Sequence, residues 1–192
     1  NNMKNNLVGG KINSLMTTMN VTIQDLSERS GLTVSQIELL LSGDKVPSLA
    51  LLIKIARGLG VRVGTFLDDS EQLGPVVHRQ SELKDAATFS SQLSTANSHL
   101  DFFSLAGNKA GRHMEPFVID IKPSPTHEPI LSTHEGEEFI FVLKGKVKII
   151  YGKEQHILNV GDSIYYDSIV DHLVSAVDDE PAQIVAVVYP PV

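Results

Sequence analysis

Cysteine is absent from the 192 residues. That removes disulfides, thiolate metal ligands and cysteine nucleophiles together, so any metal must be held by His, Asp and Glu. Long apolar runs are missing too. The longest, Ile184–Tyr189, is far short of the roughly 20 residues a membrane-spanning helix requires. No signal-peptide pattern opens the chain, so the sequence predicts a cytoplasmic protein that is neither secreted nor membrane-inserted. Asn1 and Asn2, ahead of Met3, read as an appended remnant and are set aside. Charged residues make up only 20% of the chain against 42% apolar ones, which allows a real core and argues against global disorder.

Cations are scarce, and unevenly so. The chain has 16 Lys+Arg against 23 Asp+Glu, a net charge of −7. Residues 1–68 carry 7 and 5, a balance of +2, whereas residues 69–192 carry 9 and 18, a balance of −9. The two parts face different partners. The expected division is 7–68 as a helical domain, 69–100 as linker and lead-in, and 101–192 as a second domain.

From Leu7 to Leu67 apolar residues recur at steps of three and four, with breaks rich in Gly, Ser, Thr and Pro. The spacing predicts helices over about Val8–Met19, Ile23–Ser30, Val34–Leu41 and Leu49–Leu59, and a short one ending near Leu67. Thr22 and Thr33 stand as N-caps. Beyond residue 100 the pattern becomes strand-like, at Phe117–Ile121, Glu138–Leu143, Lys146–Tyr151, His156–Leu158, Ser163–Tyr166 and Ile184–Tyr189. Short strands with tight turns and no intervening helix predict a β-barrel or sandwich. The fold class is two-domain, a bundle of four to five helices followed by an all-β domain.

Helix, glycine-containing turn and helix across Ile23–Leu41 form a helix-turn-helix pattern. The stretch from Thr22 to Ile37, with Pro47-Ser48-Leu49 and Lys54–Val61, resembles the lambda-repressor-like, XRE-type family of bacterial regulators. The resemblance implies DNA contacts at Thr33, Ser35, Gln36 and Glu38, with Gln36 able to pair bidentately with adenine. The chain departs from the family at Met16 and Thr17, where basic residues are common, and at Leu41, where Glu is usual. Nearby cations are only Lys11, Arg29 and Lys45. Phosphate neutralisation carries much of DNA affinity, so useful binding would need a homodimer with two reading heads. The alternative is a domain that keeps the fold without the DNA, as a dimerisation or lid element. Met16 and Met19 read as helix-packing residues.

His134 and Glu138 are four residues apart, so on one extended strand over Thr133–Leu143 their side chains would project together. His172 could join them from a neighbouring strand. Two imidazoles and a carboxylate are the facial-triad donor set for Fe(II), and Zn, Ni or Mn would also suit it. A barrel used as a dry ligand pocket, its histidines hydrogen-bonded, is the alternative. The text Ser132-Thr-His-Glu-Gly-Glu-Glu138 with Gly145, and Gly161-Asp-Ser-Ile-Tyr-Tyr166 through Asp171-His172, resembles the cupin superfamily over about residues 110–189. That resemblance implies a cupin β-barrel, the double-stranded β-helix, with metal ligands His134, Glu138 and His172. Ser132 replaces the family's first His, and Asp167 and Ile169 replace its usual Pro and Gly. His78, His99, His113, His127 and His156 read as surface or hydrogen-bonding residues, and Glu135 and Glu137 as solvated charges. Lys109 and Arg112 would meet an anionic ligand if they line the barrel mouth, or else form a charged loop.

Two functions follow. The preferred one is a DNA-binding transcriptional regulator whose cupin senses a small-molecule effector, with ligand-dependent spacing of two heads setting operator affinity. The other is an Fe(II)-dependent oxidoreductase: domain order, Ser132 and the His-Glu-His set resemble the hydroxypropylphosphonate epoxidases, mononuclear iron enzymes whose helical domain helps close the active site. Asn20 and Phe102 stand where that family places a lysine and a tyrosine near substrate, which argues against the same substrate.

Overall fold

A computed structural model describes residues 2–43, 47–67, 73–82, 87–89, 100–123 and 131–191, without the side chains of 2–7, 82 and 87–89. Lys45, His99, His127 and most of the 69–100 segment lie outside the described residues. Five helices come first: α1 (Asn2–Thr18), α2 (Ile23–Ser30), α3 (Val34–Ser42), α4 (Leu49–Leu59) and α5 (Gly64–Leu67). Capping residues set the boundaries of the middle ones. The Thr22 side chain accepts from the Asp25 backbone N–H at 3.1 Å while the Asp25 carboxylate accepts from the Thr22 N–H at 2.8 Å. Thr33 and Gln36 repeat that reciprocal arrangement at the start of α3. Between them Gly31 takes a left-handed conformation, φ 71°, which ends α2 and turns the chain toward α3.

Helices α2, α3 and α4 turn apolar residues inward, and α4 is buried along most of its length. Leu26, Ile37, Leu52 and Ile55 are completely buried, so apolar packing holds α2 against α4 and α3 against α1 and α2. Helix α1 starts well before Val8 and stops at Thr18, where Asn20 adopts φ 54°. Met16 packs as expected, but Met19, just past the helix end, is 45% exposed.

After a 3-10 turn at Gln80–Glu82 come strands β1 (Ala87–Phe89), β2 (Leu100–Ser104), β3 (Glu115–Ile121), β4 (Glu137–Lys144), β5 (Val147–Tyr151), β6 (Glu154–Leu158), β7 (Ser163–Asp167), β8 (His172–Ala176) and β9 (Ala182–Tyr189). All pair antiparallel, in a six-stranded sheet ordered β1-β2-β3-β9-β4-β7 and a three-stranded sheet ordered β6-β5-β8. Burial alternates residue by residue along β3 and β9, the period of a strand with one face on a core. Phe117, Ile140, Val142, Val147, Ile149 and Ile184 fill the space inside.

Register places Glu115, Val188, Glu138 and Tyr166 in one row across β3, β9, β4 and β7. Such a row shares one face of the sheet, and all four side chains are buried. Two carboxylates on an inward face need partners, because an unpaired buried charge is expensive. Glu115 finds Arg112, whose Nε donates to its Oε2 at 2.8 Å beneath the start of α5. A Cβ at Gly64 would sit 2.7 Å from Arg112 Nη2, so α5 comes close to this pair at its glycine. Arg112, in the loop before β3, is thus a half-buried contact between the domains, its charge paired with Glu115.

Candidate metal centre

Glu138, the other carboxylate in that row, meets two histidines. His134 Nε2 lies 2.8 Å and His172 Nε2 3.5 Å from Glu138 Oε1. One donor atom from each of the three residues falls within 4.8 Å of the others, and all three residues are buried. The route by which His134 arrives differs from the expectation of one extended strand over Thr133–Leu143. Strand β4 begins only at Glu137, and Gly136 breaks the extended run with φ 108°. A side chain there would run into the Tyr189 carbonyl oxygen.

Backbone hydrogen bonds fix the histidine segment instead. Ser132 and His172 exchange N–H···O bonds of 2.7 and 2.9 Å, His134 N–H donates to the Ser168 carbonyl at 3.0 Å, and Ser168 N–H donates to Gly136 at 2.8 Å. These four bonds clip residues 132–136 onto residues 168–172 and bring both imidazoles to one point. Ser132, at the position of the missing first histidine, serves the site through its backbone.

The hydrogen bonds around the rings decide what the cluster can hold. Nδ1 of His134 lies 3.0 Å from the Glu135 carbonyl, and Nδ1 of His172 lies 2.8 Å from that of Val170. A carbonyl only accepts, so each Nδ1 carries a proton, and the Nε2 of each ring faces Glu138, with a second proton there in metal-free protein or a lone pair where a cation takes that proton's place. Two lone pairs aimed at a carboxylate oxygen require a proton or a cation between them. Histidines that ligate metals are commonly held this way, with Nδ1–H on a backbone acceptor and Nε2 left for the ion. The donor set fits a divalent transition metal.

Charge distribution agrees with this. Burial pushes the Glu138 carboxyl up, but hydrogen bonds from His134 and His172 and their positive charge overcome it and hold the group well below the carboxylate range. Burial lowers His172, yet Glu138, the Val170 carbonyl and Asp171 leave it above its ordinary value. Tyr166 completes the site, its hydroxyl donating to Glu138 Oε2 at 2.6 Å. Burial first and the Glu138 charge second raise this phenol well above its ordinary value, so it stays a donor. Sequence reading missed Tyr166. It becomes visible only through the Glu138–Tyr166 pairing of β4 and β7.

With this geometry established, comparison with known families divides the chain in two. A family model described as a Cro/C1-type HTH DNA-binding domain matches residues 11–72, and one described as a cupin domain matches residues 117–188. The chain joins a Cro/C1-type helix-turn-helix domain to a cupin domain. Among solved structures, an HTH_3 family transcriptional regulator from Vibrio cholerae is 21% identical, with 100% of this chain and 99% of that one covered at a TM-score of 0.73. Hydroxypropylphosphonic acid epoxidase from S. wedmorenis is 18% identical, with 96% and 97% covered and a TM-score of 0.51. Fe(II)-HppE with the alternative substrate (S)-1-HPP is 19% identical, with 96% and 97% covered and a TM-score of 0.52. At these identities the likeness is one of fold. No curated protein matches the chain.

In the helix-turn-helix domain, Thr33, Ser35, Gln36 and Glu38 are all exposed at the N-terminal half of α3, while Ile37 and Leu40 face the core. Gln36 is already employed: its Oε1 accepts from the Thr33 N–H at 2.9 Å. In the cupin domain, Glu135 pairs with Arg57 of α4 and Glu137 accepts from the Tyr165 hydroxyl at 2.7 Å, so neither is merely solvated. Lys109 Nζ donates to the Leu73 and Ala110 carbonyls. His113 and His156 are exposed, and His78 is half-buried. Among the described residues no helix is long and apolar enough to cross a membrane.

Proposed function

We propose that the chain is a cytoplasmic, homodimeric transcriptional regulator of the XRE type that reads DNA through Thr33, Ser35, Gln36 and Glu38. Its cupin domain holds a divalent metal at His134, Glu138 and His172 and senses a small-molecule effector. The observation that carries this is α3, whose polar N-terminal half is exposed in a domain matched by a DNA-binding family. Few cations surround that helix, so one head gives weak phosphate neutralisation and the second head of a dimer supplies the rest. The test is sequencing of genomic fragments retained by the purified protein, with and without Fe(II) under anaerobic conditions. Enrichment of paired half-sites about one helical turn apart is expected. No enriched sequence in either condition sinks the proposal.

A second reading is an iron-dependent oxidoreductase, favoured by one observation: two imidazoles and one carboxylate would leave coordination positions open for a substrate. A bound iron would supply those positions and redox capacity. The chain's own residues hold the donors: carbonyls of Glu135 and Val170 fix the rings, and Tyr166 fixes the carboxylate. Asn20 and Phe102 remain departures from the epoxidase pattern, and Phe102 is packed edge-on against Phe117 in the core. Failure to retain DNA, together with stoichiometric iron, would move the weight to this reading.

A further inference from the structure

Arg57 bridges the two domains at one point. From the last turn of α4, its Nη2 donates to the carbonyls of Ser30 at 3.3 Å and Arg29 at 3.5 Å, at the C-terminal end of α2, where helix carbonyls lack intrahelical partners. Its Nη1 is bound to the Glu135 carboxylate. Glu135 in turn offers its backbone carbonyl to the Nδ1–H of His134. One residue of the cupin therefore touches both the metal-ligand ring and the cation that caps the first helix of the helix-turn-helix.

We propose that Arg57 and Glu135 form a latch through which metal occupancy at His134 is felt by the helix-turn-helix domain, an inference that rests on the metal site proposed above. With a cation held by His134, Glu138 and His172, the Nδ1–H of His134 would be a stronger donor and its bond to the Glu135 carbonyl tighter. That fixes the backbone from which the Glu135 carboxylate reaches Arg57. Arg57 then holds the end of α2, just before the turn into α3, in one position against the barrel. By linkage the effect is reciprocal, so a closed latch also favours the bound metal. Its size is modest. The two side chains are 38% and 42% exposed, and pairs of that kind are worth about a two- to fivefold change in an equilibrium.

The test uses the full chain with Zn(II), or Fe(II) under anaerobic conditions. Metal affinity is measured by calorimetry and amide exchange is followed across α2 and α4, in the parent, Arg57→Ala, Glu135→Gln and the double variant. Glu135→Gln keeps the backbone carbonyl and alters only an exposed carboxylate, so it separates loss of the latch from loss of the fold. In the parent, metal should slow exchange at the end of α2 about two- to fivefold. Each single variant should bind metal two- to fivefold more weakly and lose that response, and the double variant should be no weaker than either single. Molar salt should shrink the parent's response, because the pair is exposed to screening. Metal bound by the parent with α2 exchange unchanged overturns the latch alone, as do single-variant losses that multiply in the double. No metal bound by the parent overturns the latch and the metal site together.

Discussion

Tyr166 donates its hydroxyl hydrogen to Oε2 of Glu138 at 2.6 Å, while Oε1 of the same carboxylate faces both His134 and His172. The two oxygens are thereby given separate duties. One is held by a phenol that burial and the adjacent negative charge keep protonated, and the other faces the two imidazoles, where a metal would be held. Tyr166→Phe removes the holding bond without opening a large cavity. The expected result is about tenfold weaker metal binding by chelator competition. Loss of a hydrogen bond to a charged acceptor should also cost about 1.5–3 kcal/mol in denaturant unfolding. Parent-like metal affinity in this variant would mean the phenol does not orient the ligand.

His134→Ala and Glu138→Ala test the site itself. A ligand at a hundred times its Kd stabilises the folded state by about 2.7 kcal/mol, so added metal should raise the melting temperature of the parent measurably. Neither variant should respond, and neither should retain metal after gel filtration. Equal metal content in variant and parent would refute the assignment.

The pH dependence has two limbs. In metal-free protein Glu138 lies below its ordinary value of 4.5, so its contribution to stability is present above that value and is lost as pH falls through the depressed one. His172 lies above its ordinary 6.5, so its contribution is full below 6.5 and is lost as pH rises through the raised value. The pair is therefore most stabilising between about pH 4.5 and 6.5. A metal must displace the His172 proton, so metal affinity should climb as pH rises through the raised value, with proton release seen as buffer-dependent heat in calorimetry. Affinity flat from pH 6 to 8 would exclude His172 as a ligand.

Gly136→Ala should be among the most damaging small substitutions. Its φ of 108° strains any side chain, and the added carbon collides with the Tyr189 carbonyl. A cost of about 1–3 kcal/mol is expected from urea unfolding. Metal content should fall with it, because the segment that aims His134 is clipped to residue 168 through the Gly136 carbonyl.

Local chemistry explains which parts were legible in the sequence. Helices α2 and α3 lie where the apolar period and the caps Thr22 and Thr33 put them, because a cap and a period are both encoded within a few residues. Strand β8, His172–Ala176, carries no such local signal: it is five residues long and its alternation is blurred. The grouping of His134 with Glu138 followed from a strand period that the chain does not have there. The actual cause, a left-handed glycine and backbone pairing with residues 168–172, is non-local. Tyr166 and the Arg57–Glu135 contact depend on register and domain packing, and the latter joins residues 78 apart. No short pattern carries such contacts.

Gln36 has two possible employments, and substitutions can separate them. Its carbonyl oxygen accepts from the Thr33 N–H in the capping box of α3, while its amide N–H would be needed, with that same oxygen, for a bidentate pair with adenine. Gln36→Glu keeps an acceptor for Thr33 and removes the amide donor. It should preserve helical content and melting temperature while lowering discrimination at the contacted base pair by about 1–3 kcal/mol, read from binding to a library of operator variants. Gln36→Ala should lose both, with a further cost of about 1 kcal/mol from the weakened cap. If Gln36→Glu leaves base preference unchanged, Gln36 is a capping residue only, and sequence reading by α3 must rest on Thr33, Ser35 and Glu38.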